Sequence, residues 1–155
     1  MKIDLTPIGY VKNSRKDISD DFWGEVISEI ELSSDLTEDA LSGIEEFSHA
    51  EIIFYFDKAD PEKVHKGLRH PRGNTAWPKV GIFVQRAKDR PNLLGHTIVK
   101  ITGRKGRVFT VKALDAIDGT PVLDIKPVLK EFLPREEVKQ PLWATELMND
   151  YWKGK

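Results

Sequence analysis

The chain contains no cysteine, which excludes disulfides, thiolate nucleophiles and cysteine-ligated zinc. It has no apolar run long enough to cross a bilayer as a helix and no charged-then-apolar leader after Met1, so no membrane association and a cytoplasmic location are expected. The four histidines, His49, His65, His70 and His96, never fall at the i, i+4 spacing of a helical zinc site, and no metal is expected. A strand-following G-x-G-x-x-G, a Walker loop and a G-x-S-x-G elbow are all missing, which removes the common dinucleotide, nucleoside triphosphate and serine-hydrolase templates. Internal repeats and low-complexity tracts are absent too. At 155 residues the chain suits one domain with a complete core, residues 1–155, and is short for two.

What is present is a charge asymmetry hidden by a net charge of -1. Between Lys58 and Arg107 there are thirteen Lys or Arg against Asp60, Glu62 and Asp89 alone, leaving eleven cations against twenty-two carboxylates elsewhere. Lys and Arg gathered in this way suit contact with the phosphates of a polyanion such as RNA. Pairing of the same cations with the acidic flanks inside the fold is an equally open reading.

Alternation of apolar and polar residues predicts strands over Lys2–Val11, Glu25–Leu32, Val80–Gln85, Thr97–Arg104, Val108–Leu114 and Thr120–Ile125. Ala50–Phe56 reads as a buried strand, and Lys105-Gly106 as a hairpin turn. Asp35–Leu41 suits one or two helical turns stopped by Gly43. Gln140–Trp152 spaces Leu142 or Trp143, Leu147 and Tyr151 along one helical face, to pack on the barrel or on a second subunit; the C-terminal helix is expected within residues 140–153. Many short strands with little helix point to a mainly β fold, an antiparallel β-barrel with short helical insertions.

Two loops stand out. Arg86–Asn92 places three cations and an amide around Pro91, and Asp115–Pro127 carries carboxylates on either side of an Asp-Gly-Thr-Pro turn. A basic loop facing an acidic turn suits a zwitterionic ligand, with Arg86 able to hold a carboxylate by two parallel hydrogen bonds. Solvated turns are the plainer alternative. Phe22 and Trp23 end a polar stretch and suit either packing over the core edge or stacking on a planar ligand.

The residues His70-Pro71-Arg72-Gly73, Gly81-Ile82-Phe83 leading to Arg86, Arg90-Pro91-Asn92 with Gly95, Leu114-Asp115, and Asp118 through Pro127 stand in one order. With Ile8-Gly9 and Gly43-Ile44-Glu45-Glu46-Phe47-Ser48-His49 upstream, this pattern resembles the TsaA-like family, also called YaeB or TrmO, over about residues 5 to 130. The resemblance implies a β-barrel methyltransferase that uses S-adenosyl-L-methionine, works as a homodimer with the cofactor near the subunit contact, and methylates threonylcarbamoyl-adenosine beside the tRNA anticodon. Its cofactor-binding residues would be Arg86, His96 through its backbone, Asp118, Gly119, Thr120 and Pro121, and by position Asp21, Phe22, Trp23, Asp57 and Lys58. Asp115, Arg90 and Asn92 are the candidates on the catalytic side, Asp115 as a base for the acceptor nitrogen; a turn-capping role for Asp115 is the structural alternative. Ala87, Leu93 and Leu94 replace residues common in the family, in the loop expected to meet the acceptor. A further C-terminal domain of longer members is not expected. Methylation of another RNA or a small molecule, or cofactor binding without catalysis, are the alternative functions.

Overall fold

The computed structural model describes residues 1–155. Its strands in chain order are β1 (Gly9–Lys12), β2 (Ile27–Leu32), β3 (His49–Tyr55), β4 (Leu68–Arg69), β5 (Val80–Gly81), β6 (Leu94–Lys105), β7 (Val108–Lys112) and β8 (Pro121–Pro127). Six of them close into a barrel in the order β1-β2-β7-β6-β3-β8, all antiparallel, while β4 and β5 form a separate two-stranded ribbon. Alternation decides which face turns inward. In β3, Ala50, Ile52 and Phe54 are buried and the residues between them lie outside, so this strand is half wet rather than buried throughout. Val11, Ile30, Val99, Phe109, Val111, Leu114 and Val122 complete the interior.

Gly95 faces Phe54 in the β3–β6 register. A Cβ at Gly95 would lie 2.3 Å from Cε2 of that ring, so the glycine makes the space that the aromatic side chain fills. Gly106 turns from β6 to β7 at φ +57, as the Lys105-Gly106 hairpin signal requires.

Three elements differ from the periodicity. The first predicted strand is a strand only from Gly9; Ile8 still bonds Val122 and Ser33, and Pro7 accepts from the Ser33 hydroxyl, while residues 1–6 lie exposed. Val80–Gln85 is a strand only at Val80–Gly81; Ile82–Val84 is a 3-10 turn that buries Ile82 and exposes Phe83 and Val84. The turn is fixed by Gln85, whose Nε2 donates to the carbonyls of Arg69 and Val80 at 3.2 and 3.1 Å. The final helix, α1, covers Leu142–Leu147 alone, and the chain then winds through turns to Trp152.

All long loops at one end of the barrel converge. They are residues 13–26 after β1, 56–93 after β3 and 113–120 after β7. The chain leaves the other end at Val128, whose amide bonds the His49 carbonyl at 3.0 Å. Residues 129–142 are exposed throughout and form only local hydrogen bonds, a strap that carries the terminus back to the looped end. There the terminus hooks on: Phe22 and Trp23 amides donate to the carbonyls of Asp150 and Tyr151 at 3.2 and 2.8 Å. The C-terminal segment therefore packs on the barrel of its own chain.

Candidate functional site

Asp115 follows β7 and turns its carboxylate to the barrel mouth. Thr97, on the inner face of β6, donates its hydroxyl to Oδ1, and the Tyr151 hydroxyl donates to Oδ2. Tyr151 is largely buried; burial first, and then the neighbouring Asp115 charge and hydrogen bond, push its phenol well above the usual tyrosine range, while the Arg86 and Arg72 guanidiniums act the other way. A carboxylate, a neutral phenol and two guanidiniums thus share one rim.

The two arginines are held differently. Arg72 sits at φ 51 within the His70–Gly73 turn, donates to both Asp21 oxygens at 2.9 and 3.1 Å, and places its Cζ 6.0 Å from the Tyr151 ring centroid. Arg86 is exposed and donates from Nη2 to the His96 carbonyl. A guanidinium has five N–H donors, so this contact leaves Arg86 donors for a ligand.

The other predicted site residues fall at the same end. Arg90 Nη1 donates to the Gln85 carbonyl at 2.9 Å, and Asn92 and Leu93 hold φ values of 65 and 52. Arg90 and Asn92 therefore shape their loop, Asn92 with its side chain exposed and Leu93 buried beneath it. The His96 ring lies on the outer wall with Nε2 3.1 Å from Glu51. Asp57 and Lys58 follow β3 and pair with each other at 3.0 Å.

The Asp118–Pro121 turn is tied into the fold. Asp118 accepts from the Asn13 amide at 3.1 Å, and the amides of Asp118, Gly119 and Thr120 donate to Arg15, Val11 and Ile117. Thr120 is buried, Gly119 supplies the positive φ of the turn, and Pro121 opens β8. These three amides are thus consumed inside the fold.

Phe22 and Trp23 also separate. Trp23 is only 4% exposed, beneath the Arg15 guanidinium 3.9 Å from its ring centroid, so core packing rather than stacking on a ligand describes it. Phe22 is half-buried at φ 67, a strained conformation for a bulky residue. Its carbonyl accepts from Arg15 at 2.9 Å. Thr97 and Tyr151 as partners of Asp115 have no counterpart in the sequence reading, and the pairing of Asp21 with Arg72 has none either, although Asp21 lies in the loop expected to border the cofactor and Arg72 in the His-Pro-Arg-Gly motif.

Part of the charge asymmetry is spent on ion pairs inside the fold. Arg72 and Arg104 pair with Asp21 and Glu45 of the acidic flanks, and Lys88 and Arg69 approach Asp89 within the segment. Lys66 and Lys79, on the long loop at the functional rim, are exposed and have no carboxylate within bridging distance. No three His, Asp or Glu side chains converge as a metal ligand set, and no helix is long and apolar enough to cross a membrane. An apolar groove of about 460 Å³ opens at the opposite end of the barrel, between Ile8, Leu36, Ile44, Phe47 and Ile125, away from the charged rim.

The fold is a small closed antiparallel barrel that gathers a carboxylate, a phenol and two guanidiniums at its loop end, the candidate site. The sequence matches the tRNA-methyltransferase O N-terminal domain over residues 17–132, and the chain belongs to that family. It is 38% identical over 113 residues to the tRNA (adenine(37)-N6)-methyltransferase of Homo sapiens, which covers 73% of this chain and 25% of that protein. It is 35% identical over 145 residues to a Pyrococcus abyssi protein named as a probable S-adenosyl-L-methionine-binding protein, covering 90% of this chain and 75% of the relative. The crystal structure of TrmO from Pseudomonas aeruginosa superposes with a TM-score of 0.71 at 25% identity, covering 92% of this chain and 63% of that one. The chain thus spans a quarter of the human relative and somewhat under two thirds of the solved structure.

Proposed function

We propose that this protein is a cytoplasmic, S-adenosyl-L-methionine-dependent methyltransferase that acts on the exocyclic nitrogen of the modified adenosine beside the tRNA anticodon. The observation that carries this reading is the Asp115 carboxylate, held at the barrel mouth between Thr97 and Tyr151 with Arg72 and Arg86 close by, in a chain of the tRNA-methyltransferase O family. Relatives named for S-adenosylmethionine binding and for adenine(37)-N6 methylation support it.

The residues fit the cofactor on charge. An amino acid carboxylate finds a cation in exposed Arg86, and an ammonium finds a carboxylate in Asp57. When bound, S-adenosylmethionine supplies a methyl group on a sulfonium, open to in-line displacement. The protein has mainly to align the acceptor, and positioning can supply much of the acceleration. Asp115 retains free lone pairs beyond those used by Thr97 and Tyr151, so it can take the proton that the acceptor nitrogen loses. Arg90 and Asn92 support the loop expected to border the acceptor. Lys66 and Lys79 offer unpaired positive charge to tRNA phosphates. A homodimer is part of the proposal: the outer face of β3 and β6 exposes Tyr55 and Leu94 as a cross-strand pair and Ile98 four residues further along β6, 37%, 40% and 43% accessible, with His96 between them, a face suited to a second copy.

The test is transfer of a labelled methyl group from S-adenosylmethionine to tRNA with and without the threonylcarbamoyl modification. Transfer to the modified tRNA alone is the expected result. Cofactor binding without transfer to any tRNA would refute the reading.

A further inference from the structure

The family match ends at residue 132, yet one of the two groups that hold Asp115 comes from beyond it. Tyr151 reaches Asp115 only because the strap returns the terminus to the barrel mouth. Its ring is set by an edge-to-face contact with Trp152 at 4.8 Å between centroids and by the Arg72 guanidinium. The backbone of residues 150 and 151 is pinned by Phe22 and Trp23. Gly24 permits the approach, since a Cβ there would fall 1.8 Å from the Trp152 carbonyl oxygen.

The consequence for Asp115 is geometric. The terminal torsion of an aspartate is broad, so a single hydrogen bond leaves its carboxyl plane free to swing. Thr97 fixes one oxygen from the barrel wall, and Tyr151 fixes the other from the C-terminal hook. We propose that Tyr151 is a positioning residue for Asp115, which makes the C-terminal hook a working part of the methyl-transfer site. This rests on the function proposed above. A phenol that stays protonated can only donate in this contact, so it sets the carboxylate's orientation without competing for the acceptor's proton.

Tyr151→Phe removes the hydroxyl and keeps the ring against Trp152 and Arg72 together with both backbone bonds. Single-turnover methyl transfer to modified tRNA is measured with rates normalised to sites competent for S-adenosylhomocysteine by calorimetry, so partial unfolding does not mimic the effect. The expected result is a rate at least tenfold lower, with the affinities for S-adenosylhomocysteine and tRNA within twofold of wild type. A wild-type rate overturns the proposal, and so does a rate loss matched by an equal loss of cofactor affinity, which is the signature of a packing role. In the cofactor-free protein, the Tyr151 ring-carbon resonance at neutral pH should move on Asp115→Asn, and an unmoved resonance would show that the contact does not form in solution, also overturning the proposal. Wild-type protein inactive on every tRNA while this coupling is intact would instead overturn the proposed function, and the role of Tyr151 in transfer with it.

Discussion

Gly24→Ala should release the C-terminal hook while leaving the barrel folded. A Cβ at Gly24 would stand 1.8 Å from the Trp152 carbonyl oxygen and 2.7 Å from its carbon. The obstacle is backbone, so no rotamer change relieves it. Undocking loses the two bonds from Phe22 and Trp23 to residues 150 and 151, and the Tyr151 bond to the Asp115 carboxylate. At about 1 kcal/mol for each neutral bond and about 1.5–3 kcal/mol for one to a charged group, the hook forfeits roughly 3.5–5 kcal/mol. With about 1.4 kcal/mol per factor of ten, protection of the Phe22 and Trp23 amides from hydrogen exchange should fall at least ~100-fold. The Ile52 and Val99 amides, in the ladder between β3 and its neighbours, should keep their protection. Exchange measured residue by residue by NMR reads both sets at once. Unchanged protection at Phe22 and Trp23 would show that the terminus is not held by this approach, and equal losses everywhere would show that the hook and barrel are one cooperative unit.

Arg86→Ala should weaken S-adenosylhomocysteine binding by about 1.5–3 kcal/mol, the worth of a charge-assisted hydrogen bond, and calorimetry on the folded variant that shows unchanged affinity would remove Arg86 from the cofactor site. The double reversal Lys66→Glu with Lys79→Glu should weaken tRNA binding and flatten its salt dependence, because each neutralised phosphate contact contributes to the slope; filter binding across a salt series that leaves the slope unaltered would refute the contact. Ile98→Lys, on the exposed face of β6, should shift the protein from dimer to monomer in light scattering, and a dimer of undiminished stability would move the interface elsewhere.

Much of the barrel is legible in the sequence because alternation and burial have the same origin. Ile30, Leu32, Ile52, Phe54, Val99, Phe109 and Val111 are buried at the period that their strands impose. Ile82-Phe83-Val84 escapes such a reading because an apolar run does not announce a tight turn; its shape depends on Gln85 reaching back to Arg69 and Val80. The candidate rim is legible as a set of loop residues, Arg86, Arg90, Asn92, Asp57 and Asp115, which the fold brings to one mouth. Its pairings are not. Asp115 meets Tyr151 across 36 positions and Arg72 meets Asp21 across 51, and no local pattern encodes a contact between two loops and a returning terminus. Asp118–Thr120 carries a strong turn signal for a different reason: the Asp118 and Gly119 amides tie the turn to Arg15 and Val11, and the Thr120 amide closes the turn on Ile117.

The exposed strap of residues 129–142 has a kinetic and thermodynamic side. It keeps the terminal segment on a short leash, so docking is a unimolecular event at an effective concentration on the order of millimolar for a short flexible tether. A weak pairing of surfaces is then enough to keep the segment in place most of the time. One proteolytic cut at Lys130, Arg135 or Lys139 would remove no atom from the contact, yet would turn it into an ordinary bimolecular association. At micromolar protein that change alone dilutes the segment by roughly a thousandfold relative to the tether, and Asp115 would lose its second hydroxyl with every side chain of the barrel intact.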